Sequence, residues 1–348
     1  MTVASASVSR TDGNLGFSAS TARPPALLGC CSAGTAATPV EISTPDDLKT
    51  TFGRGPLVTM GLLYLEAGVP VIVCRAATAT AGAAGSVTQA ATGTATLAVT
   101  GNAHDAFDVV VLVTRGGATL AAITAAVKIS LDGGRTYGPE IAMPSGGVIT
   151  PDDTNLTLTW TYSSGTAFVA GETFVFSTTA PVFDATGLGA ALDGLETTPL
   201  DHEYVHVVGA LSASLAGTVK TSIDSLVSQG IYRWWMGEVR DQDLAGAESI
   251  ATWQSSIQGA FASFTHDRCG ALVACAGRFR DRITGALLRR SLAHAIGPRL
   301  GSLIHAKNGA GLAEHPGRVA SGPLPYVEDD SLVHDFRTYT GRSEERRV

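Results

Sequence analysis

Charge is scarce in this chain. Asp, Glu, Lys and Arg make up 16% of its 348 residues, against roughly one quarter in ordinary globular proteins. The little there is leans acidic, with 31 Asp and Glu against 24 Lys and Arg and a net charge of −7. That balance argues against a dedicated nucleic-acid binder, whose phosphate contacts need a basic face. No stretch approaches the roughly 18 apolar residues of a membrane-spanning helix. Met1 to Ser20 has no apolar run behind a basic start, so no secretory signal is expected. Cysteine is sparse as well: Cys30, Cys31, Cys74, Cys269 and Cys275 form an odd set without paired metal-ligand spacing. Buried free thiols in a reducing compartment are the expected state. There is no G-x-x-x-x-G-K-[ST] phosphate loop, and no G-x-S-x-G elbow at a strand–helix junction.

What is present is apolar and small: 45% hydrophobic residues and 40 glycines. Such a surface is poorly protected by charge, which suits a subunit that buries much of itself against its own copies. A soluble globular protein with an Ala/Gly-rich composition is the plain alternative. The length suits two domains rather than one small core.

Residues 1–25 are polar and irregular, with Asp12-Gly13-Asn14 and Pro24-Pro25 as turn signals. Ala26 to Ser32 reads as a buried strand. Thr44-Pro45-Asp46-Asp47 is a helix start: a capping hydroxyl, a proline for the first turn and acids for the dipole. Pro56 opens a second helix with Leu57, Met60, Tyr64 and Leu65, and Val69 to Arg75 follows as a strand. From Ala76 to Ala103 no residue is charged. Beyond lie short β-rich runs at Phe107–Thr114, Ala126–Leu131, Leu156–Tyr162 and Glu172–Ser177. Asp132-Gly133-Gly134, Ser145-Gly146-Gly147 and Ser163-Ser164-Gly165 separate them as turns, the pattern of an antiparallel sandwich or barrel. From Pro199 strands and helices alternate. His202–Gly209 is a strand, Leu211–Val227 a helix stopped by Gly230, Tyr232–Val239 a strand, Ile250–Phe264 a helix and Cys269–Ala276 a strand. A basic helix is expected across about 283–304, bent or broken at Gly297-Pro298. The fold class is therefore an α/β core, a mixed sheet flanked by helices, with an inserted antiparallel β-sandwich or barrel and an extended N-terminal arm. The expected division is an arm at 1–25, a discontinuous core at 26–79 and 183–341, an insertion at 80–182, and a charged solvated tail at 342–348.

Catalysis finds little support. His202-Glu203-Tyr204-Val205-His206 matches the H-E-x-x-H zinc-protease signature, which requires a helix so that both histidines share a face. On a strand the two would sit roughly 13 Å apart at about 3.3 Å per residue, too far for one ion. Glu238 and Glu248 offer no third ligand on a partner helix. Asp241-x-Asp243 could hold a cation at a strand end, but a solvated turn with acids near a helix start explains it as well. In Trp234-Trp235, adjacent strand residues face opposite sides, so one belongs to the core and the other to an interface. Arg278, Arg280, Arg282, Arg289, Arg290 and Arg299 form a basic run in an acidic chain. It reads either as a solvated helix face or as a contact with an acidic partner. On a helix Arg289 and Arg290 would point about 100° apart, so not every arginine can serve one patch.

In order along the chain, several segments resemble phage contractile tail sheath proteins. Pro39 to Val58 (PVEISTPDDLKTTFGRGPLV), then Val71-Ile72-Val73-Cys74-Arg75, is similar to that family's N-terminal part. There a P-x-x-I-x-[ST] strand leads to a short helix, to F-G-x-G-P-L and to a strand near V-x-V-x-R. Asp12-Gly13-Asn14-Leu15-Gly16, Lys128 to Gly134, Phe174 to Pro181 and Tyr204 to Gly209 are similar too, so the resemblance spans most of residues 10–341. It implies a structural, non-enzymatic subunit without cofactor or metal. Such a subunit polymerises as stacked hexameric rings around an inner tube and contracts to drive that tube through a target envelope. Its partners would be copies of itself and the inner tail tube protein, with baseplate and tail terminator proteins as further candidates. Neither nucleic acid nor membrane insertion is implied. Its place would be the virion tail, assembled in the host bacterial cytoplasm. Extended arms add strands to neighbouring sheets, a role that assigns Leu15 and Phe17 to the inter-subunit arm. The α/β core would face the tube, with the basic helix carrying Arg289, Arg290 and Arg299 against it, and the β-insertion outward. Sheath chains usually continue past the region like Phe336 to Gly341; here Gly341 to Val348 carries five charges in eight residues, so C-terminal elements are expected to be absent or supplied by another protein. Two rival readings stand beside this one: a metal-dependent hydrolase using the HEYVH segment, and a surface- or receptor-binding module acting through the insertion.

Overall fold

The computed structural model describes residues 23–90, 93–117, 125–161, 167–274, 276–306 and 327–329, with backbone alone for 303–306 and 327–329. Residues 1–22 (with Leu15 and Phe17), Cys275 and the 342–348 tail lie outside them.

The described residues begin with β1 (Ala26–Gly29), β2 (Val40–Ile42), α1 (Pro45–Phe52), α2 (Pro56–Glu66) and β3 (Val71–Arg75). Thr44 caps α1 as its sequence requires. Its hydroxyl accepts from Asp47 N at 3.2 Å and donates to the Asp47 carboxylate at 2.6 Å. After the β-rich segment come α3 (Ala185–Thr197), β12 (Tyr204–Leu211), α4 (Ala213–Ser228), β13 (Trp234–Val239), α5 (Ile250–Ala260) and β14 (Cys269–Val273). Asp184, Ser212 and Ser249 cap the three helices through side-chain oxygens.

One six-stranded sheet collects these strands in the order β14-β13-β12-β1-β3-β2. It is parallel except for β2, which runs antiparallel to β3. Adjacent residues along a strand enter opposite apolar layers. Leu28, Ile72, Val205 and Trp235 meet Leu188, Leu192, Ile223, Trp253 and Ile257 from α3, α4 and α5. Leu27, Val73, Tyr204 and Met236 meet Leu48, Met60 and Tyr64 from α1 and α2 on the other face. Burial on both faces is why these strands read as unbroken apolar runs instead of alternating ones.

Helix α3 lies where no helix was expected. Gly187, Gly189 and Gly194 depress its helix propensity by about 1 kcal/mol each, but two of them serve close packing. A Cβ on Gly187 would lie 2.6 Å from Ala77 O, and one on Gly194 2.3 Å from Ala37 O. The helix rests directly on the backbone of the loops that follow β1 and β3.

The β-rich segment comprises β4 (Thr88–Ala90), β5 (Thr96–Thr100), β6 (Asp108–Arg115), β7 (Ala126–Ser130), β8 (Ile141–Ala142), β9 (Val148–Ile149), β10 (Thr157–Thr161) and β11 (Thr173–Ser177). They make two open antiparallel sheets, β4-β11-β6-β7-β8 and β5-β10-β9. Both contribute to one apolar layer, in which Trp160 of one sheet meets Phe174 of the other edge-to-face at 6.2 Å. Among the described residues no closed barrel forms.

The expected basic helix is corrected in part. After β14 the chain makes β15 (Ala276–Arg280) and β16 (Leu287–Ser291), an antiparallel hairpin joined on its other side by β17 (Val327–Asp329), and only then α6 (Ala293–Ala306). Arg289 and Arg290 therefore stand on a strand. The leucines at 287, 288 and 292 fit a helical spacing, but Asp281-Arg282-Ile283-Thr284-Gly285 is a turn. Its Asp281 carboxylate accepts from Thr284 N at 2.9 Å and Thr284 Oγ1 at 2.6 Å, and Gly285 has φ 74°. Helix α6 then continues through Gly297-Pro298 instead of ending there.

This hairpin joins the two halves of the fold. Phe279 packs in the α/β layer, while Leu288 packs in the layer between the β-sheets. Leu287 N donates to Asp132 Oδ2 at 3.1 Å, and Thr59 Oγ1 to Asp281 Oδ1 at 3.2 Å.

Gly194→Ala should lower stability by about 1–3 kcal/mol, because backbone must move to admit the methyl group. Gly217→Ala on α4, where an added Cβ meets nothing within 4 Å, should raise it by up to about 1 kcal/mol. Urea midpoints of the two variants should move in opposite directions.

Candidate assembly surface

The HEYVH segment does not form a metal site of the protease kind. His202 and Glu203 precede β12 and His206 lies within it, so the helical register is absent. His206 is completely buried. Its Nδ1 lies 2.9 Å from Tyr64 OH, which lies 3.0 Å from Tyr204 OH, and Tyr204 OH donates to Gly297 O at 3.2 Å. Helix α6 presses on this group through Gly297, where a Cβ would sit 2.8 Å from the imidazole. Burial pushes His206 down to about 3 and His202 down to about 4, so both stay neutral at neutral pH. His294, beside the Phe279 ring at 5.7 Å, is held low by the same cause and then by Arg290. Among the described residues no group of three or more His, Cys, Asp or Glu is placed to hold a metal ion. What the sequence presents as a catalytic pair is core packing with a hydrogen-bonded tyrosine.

The arginines expected on one tube-facing basic helix, Arg289, Arg290 and Arg299, are dispersed. Arg289 pairs with Asp241, Nη2 to Oδ1 at 2.8 Å. Arg290 is buried and pairs with buried Asp105 at 2.5 Å, across from the β-rich segment. Arg299 alone lies on α6. The acids after β13 form a compact loop: Arg240 takes Glu248 in two hydrogen bonds of 2.7 Å, and Asp243 accepts from Gly246 N at 2.8 Å. Asp241-x-Asp243 is thus a turn with an ion pair. Among the described residues four cysteines carry free thiols, of which Cys31, Cys74 and Cys269 are pushed up to about 12 by burial and so are unreactive as thiolates.

The chain matches the family model described as DUF2586, N-terminal domain, over residues 4–338. It belongs to the DUF2586 family. Among solved structures, this DUF2586 chain is similar to a sheath tail protein of Listeria innocua, at 14% identity and a TM-score of 0.34 over 83% of this chain and 57% of that one. A sheath tail protein of Desulfitobacterium hafniense is similar at 14% identity and a TM-score of 0.36, over 82% and 58% respectively. The chain thus spans less than three-fifths of either protein's length. No curated protein matches it.

The DUF2586 fold leaves several sheet margins without a strand partner among the described residues. Most are short, which limits unwanted pairing: β2 and β4 have three residues, β8 and β9 two. The five-residue margin β16 lies against the β-rich segment through Leu287 and Leu288. Strand β14, also five residues long, is the margin of the large sheet and is only partly covered along Cys269–Leu272. Beside it the Trp234-Trp235 pair divides as its alternation requires. Trp235 is buried, edge-to-face with Phe264 at 6.1 Å, while half-buried Trp234 carries Arg268 over its ring at 5.4 Å.

Sequence reasoning missed the Asp105–Arg290 pair, 185 positions apart, since nothing local marks the two as partners. Burial pushes Asp105 up to about 6, against the opposing pull of Arg290 and with help from Asp281. Arg290→Ala should cost about 3–5 kcal/mol, because Asp105 would remain buried without its cation, whereas Arg290→Met with Asp105→Leu should be near neutral. Chemical denaturation of the three proteins checks both outcomes.

Depressed histidines give stability that is present above pH 6.5 and lost as pH falls towards their folded values. Raised Asp105 works in the opposite sense: its contribution is present below about 3.8 and lost as pH rises through about 6. With three buried histidines against it, the net expectation is loss of stability from pH 6.5 downward. His206→Gln, which keeps a polar partner for Tyr64 and does not titrate, should flatten that loss by up to about 1.4 kcal/mol per pH unit. Unfolding free energies of wild type and variant at several pH values measure the difference.

Proposed function

We propose that this chain is a structural subunit of a contractile tail sheath or a related contractile injection apparatus, polymerising around an inner tube. The observation that carries the reading is the open β14 margin of the central sheet, five residues long and only partly covered. Unpaired strand backbone of this length is a place for another chain to add. The low charge of the chain fits a surface meant to be covered. The sheath-like sequence segments support the same reading, since Pro39–Val58 makes β2, α1 and the start of α2, and Val71–Arg75 and Tyr204–Gly209 make two central strands.

In this reading residues 26–79 and 183–341 are the core that rings the tube, 80–182 is the outward insertion, and 1–25 is an arm whose Leu15 and Phe17 engage a neighbour. Of the three arginines expected on one tube-facing helix, Arg299 lies on α6 while Arg289 and Arg290 stand on β16 and pair with Asp241 and Asp105. Contraction requires two packings of the same subunits, with the arms keeping the lattice connected.

Purified protein, alone or with its tube partner, should form rings or striated cylinders in negative-stain micrographs. Deleting residues 1–20 should abolish these particles while the circular dichroism of the core is unchanged. Strictly monomeric behaviour of the intact chain at high concentration would overturn the reading.

A further inference from the structure

Among the described residues Arg268 is held by aromatic faces and not by an acid. It stands immediately before β14, and its carbonyl accepts from Trp235 N at 3.1 Å. Its guanidinium lies 4.9 Å from the Tyr232 ring centre and 5.4 Å from that of Trp234. Arginine can stack its planar guanidinium on an aromatic ring, and a guanidinium stacked in this way can still bind a carboxylate through two parallel in-plane hydrogen bonds. Among the described residues no carboxylate lies within ion-pair distance of it, in contrast to Arg240, Arg289 and Arg290. Tyr232 is 57% exposed and Ile231 37% exposed, so an uncovered apolar patch adjoins the cation. Tyrosine, tryptophan and arginine in one cluster are the residue types that dominate binding energy at protein interfaces.

We propose that Arg268, clamped by Tyr232 and Trp234 at the open margin of β14, captures a carboxylate from an acidic extended segment of a second copy of this chain. The proposal rests on the self-assembly reading and names one contact within it. Stacking fixes the arginine in advance, so less side-chain freedom is lost on binding than for a mobile surface arginine. The adjacent unpaired backbone calls for a peptide, since a small anion could not use it. A second copy is the matching source because the chain itself carries 31 acidic against 24 basic side chains.

Sedimentation velocity over a concentration series, on the intact chain and its Arg268→Ala, Arg268→Lys and Tyr232→Ala variants, tests the contact. Arg268→Ala should weaken self-association tenfold or more with circular dichroism unchanged. Arg268→Lys should restore little of it, because lysine keeps the charge but loses the fork and the stacking. Added salt should weaken the wild type more than Arg268→Ala. A photo-crosslinking p-benzoylphenylalanine at position 232, in mixed isotope-labelled subunits, should join different copies at a segment containing Asp or Glu. Assembly of Arg268→Ala with wild-type affinity would overturn the contact and leave the sheath reading standing. Adducts confined to single chains, or formed only with an added tube protein, would overturn the second copy as occupant. A wild type that stays monomeric at every concentration removes both the contact and the sheath reading.

Discussion

Arg290 has no water to turn to. Its guanidinium is buried beside the Asp105 carboxylate, 2.5 Å away, and Asp105 belongs to the β-rich segment while Arg290 belongs to the hairpin that leaves the α/β sheet. Burying two such charges costs several kcal/mol each, and their attraction offsets that only when the geometry is good. The pair therefore tolerates one relative placement of the two halves and penalises others. Asp132 does the same job from the other direction. Its carboxylate gathers Ser130, Arg135 N and Thr136 inside its own turn, and also accepts Leu287 N from the hairpin. The apolar contacts of Phe279 and Leu288 supply area at the junction, and these polar contacts supply direction.

The buried tyrosine–histidine group shows why a motif has to be read with its secondary structure. Along a helix, histidines four apart would share one face. In this chain the second histidine enters the core from β12, and the first lies before the strand begins. β-branched Val205, Val207 and Val208 decide the matter, since they favour a strand and all three are buried. His206 then becomes a neutral core residue whose Nδ1 is matched by Tyr64 OH, and Gly297 lets α6 close over it. The same short sequence would carry chemistry on another backbone.

Much of the fold was legible because it rests on local rules. Thr44 and Pro45 mark a helix start through capping and a fixed φ, Gly230 marks a helix end, and the paired apolar faces of β1, β3 and β13 appear as unbroken runs. Two elements were not legible, for different reasons. Helix α3 has glycines that argue against a helix locally and are justified only by the backbone of Ala37 and Ala77, more than a hundred residues away in sequence. The β15–β16 hairpin was hidden by leucines at helical spacing, although Arg278-Phe279-Arg280 alternates and Asp281 to Gly285 has turn chemistry. The candidate surface was harder still. The division of Trp234 from Trp235 followed from alternation, but no local pattern brings Arg268 over Tyr232, and none pairs Asp105 with Arg290.

A chain with so little charge must also avoid joining the wrong neighbours. Charged or very short edges are the usual protection, and among the described residues this fold relies on shortness: β2, β4, β8, β9 and β17 offer two or three residues each, too few to template a strand. Strand β16 is spent on the internal junction. That leaves β5, whose residues alternate outward on the small sheet, and β14, which extends the central parallel sheet. A uniform aversion to pairing would have shortened β14 as well. Instead it keeps five residues, is partly covered and is flanked by Arg268 over the Tyr232 and Trp234 rings, so the economy applied at the short margins does not extend to this one.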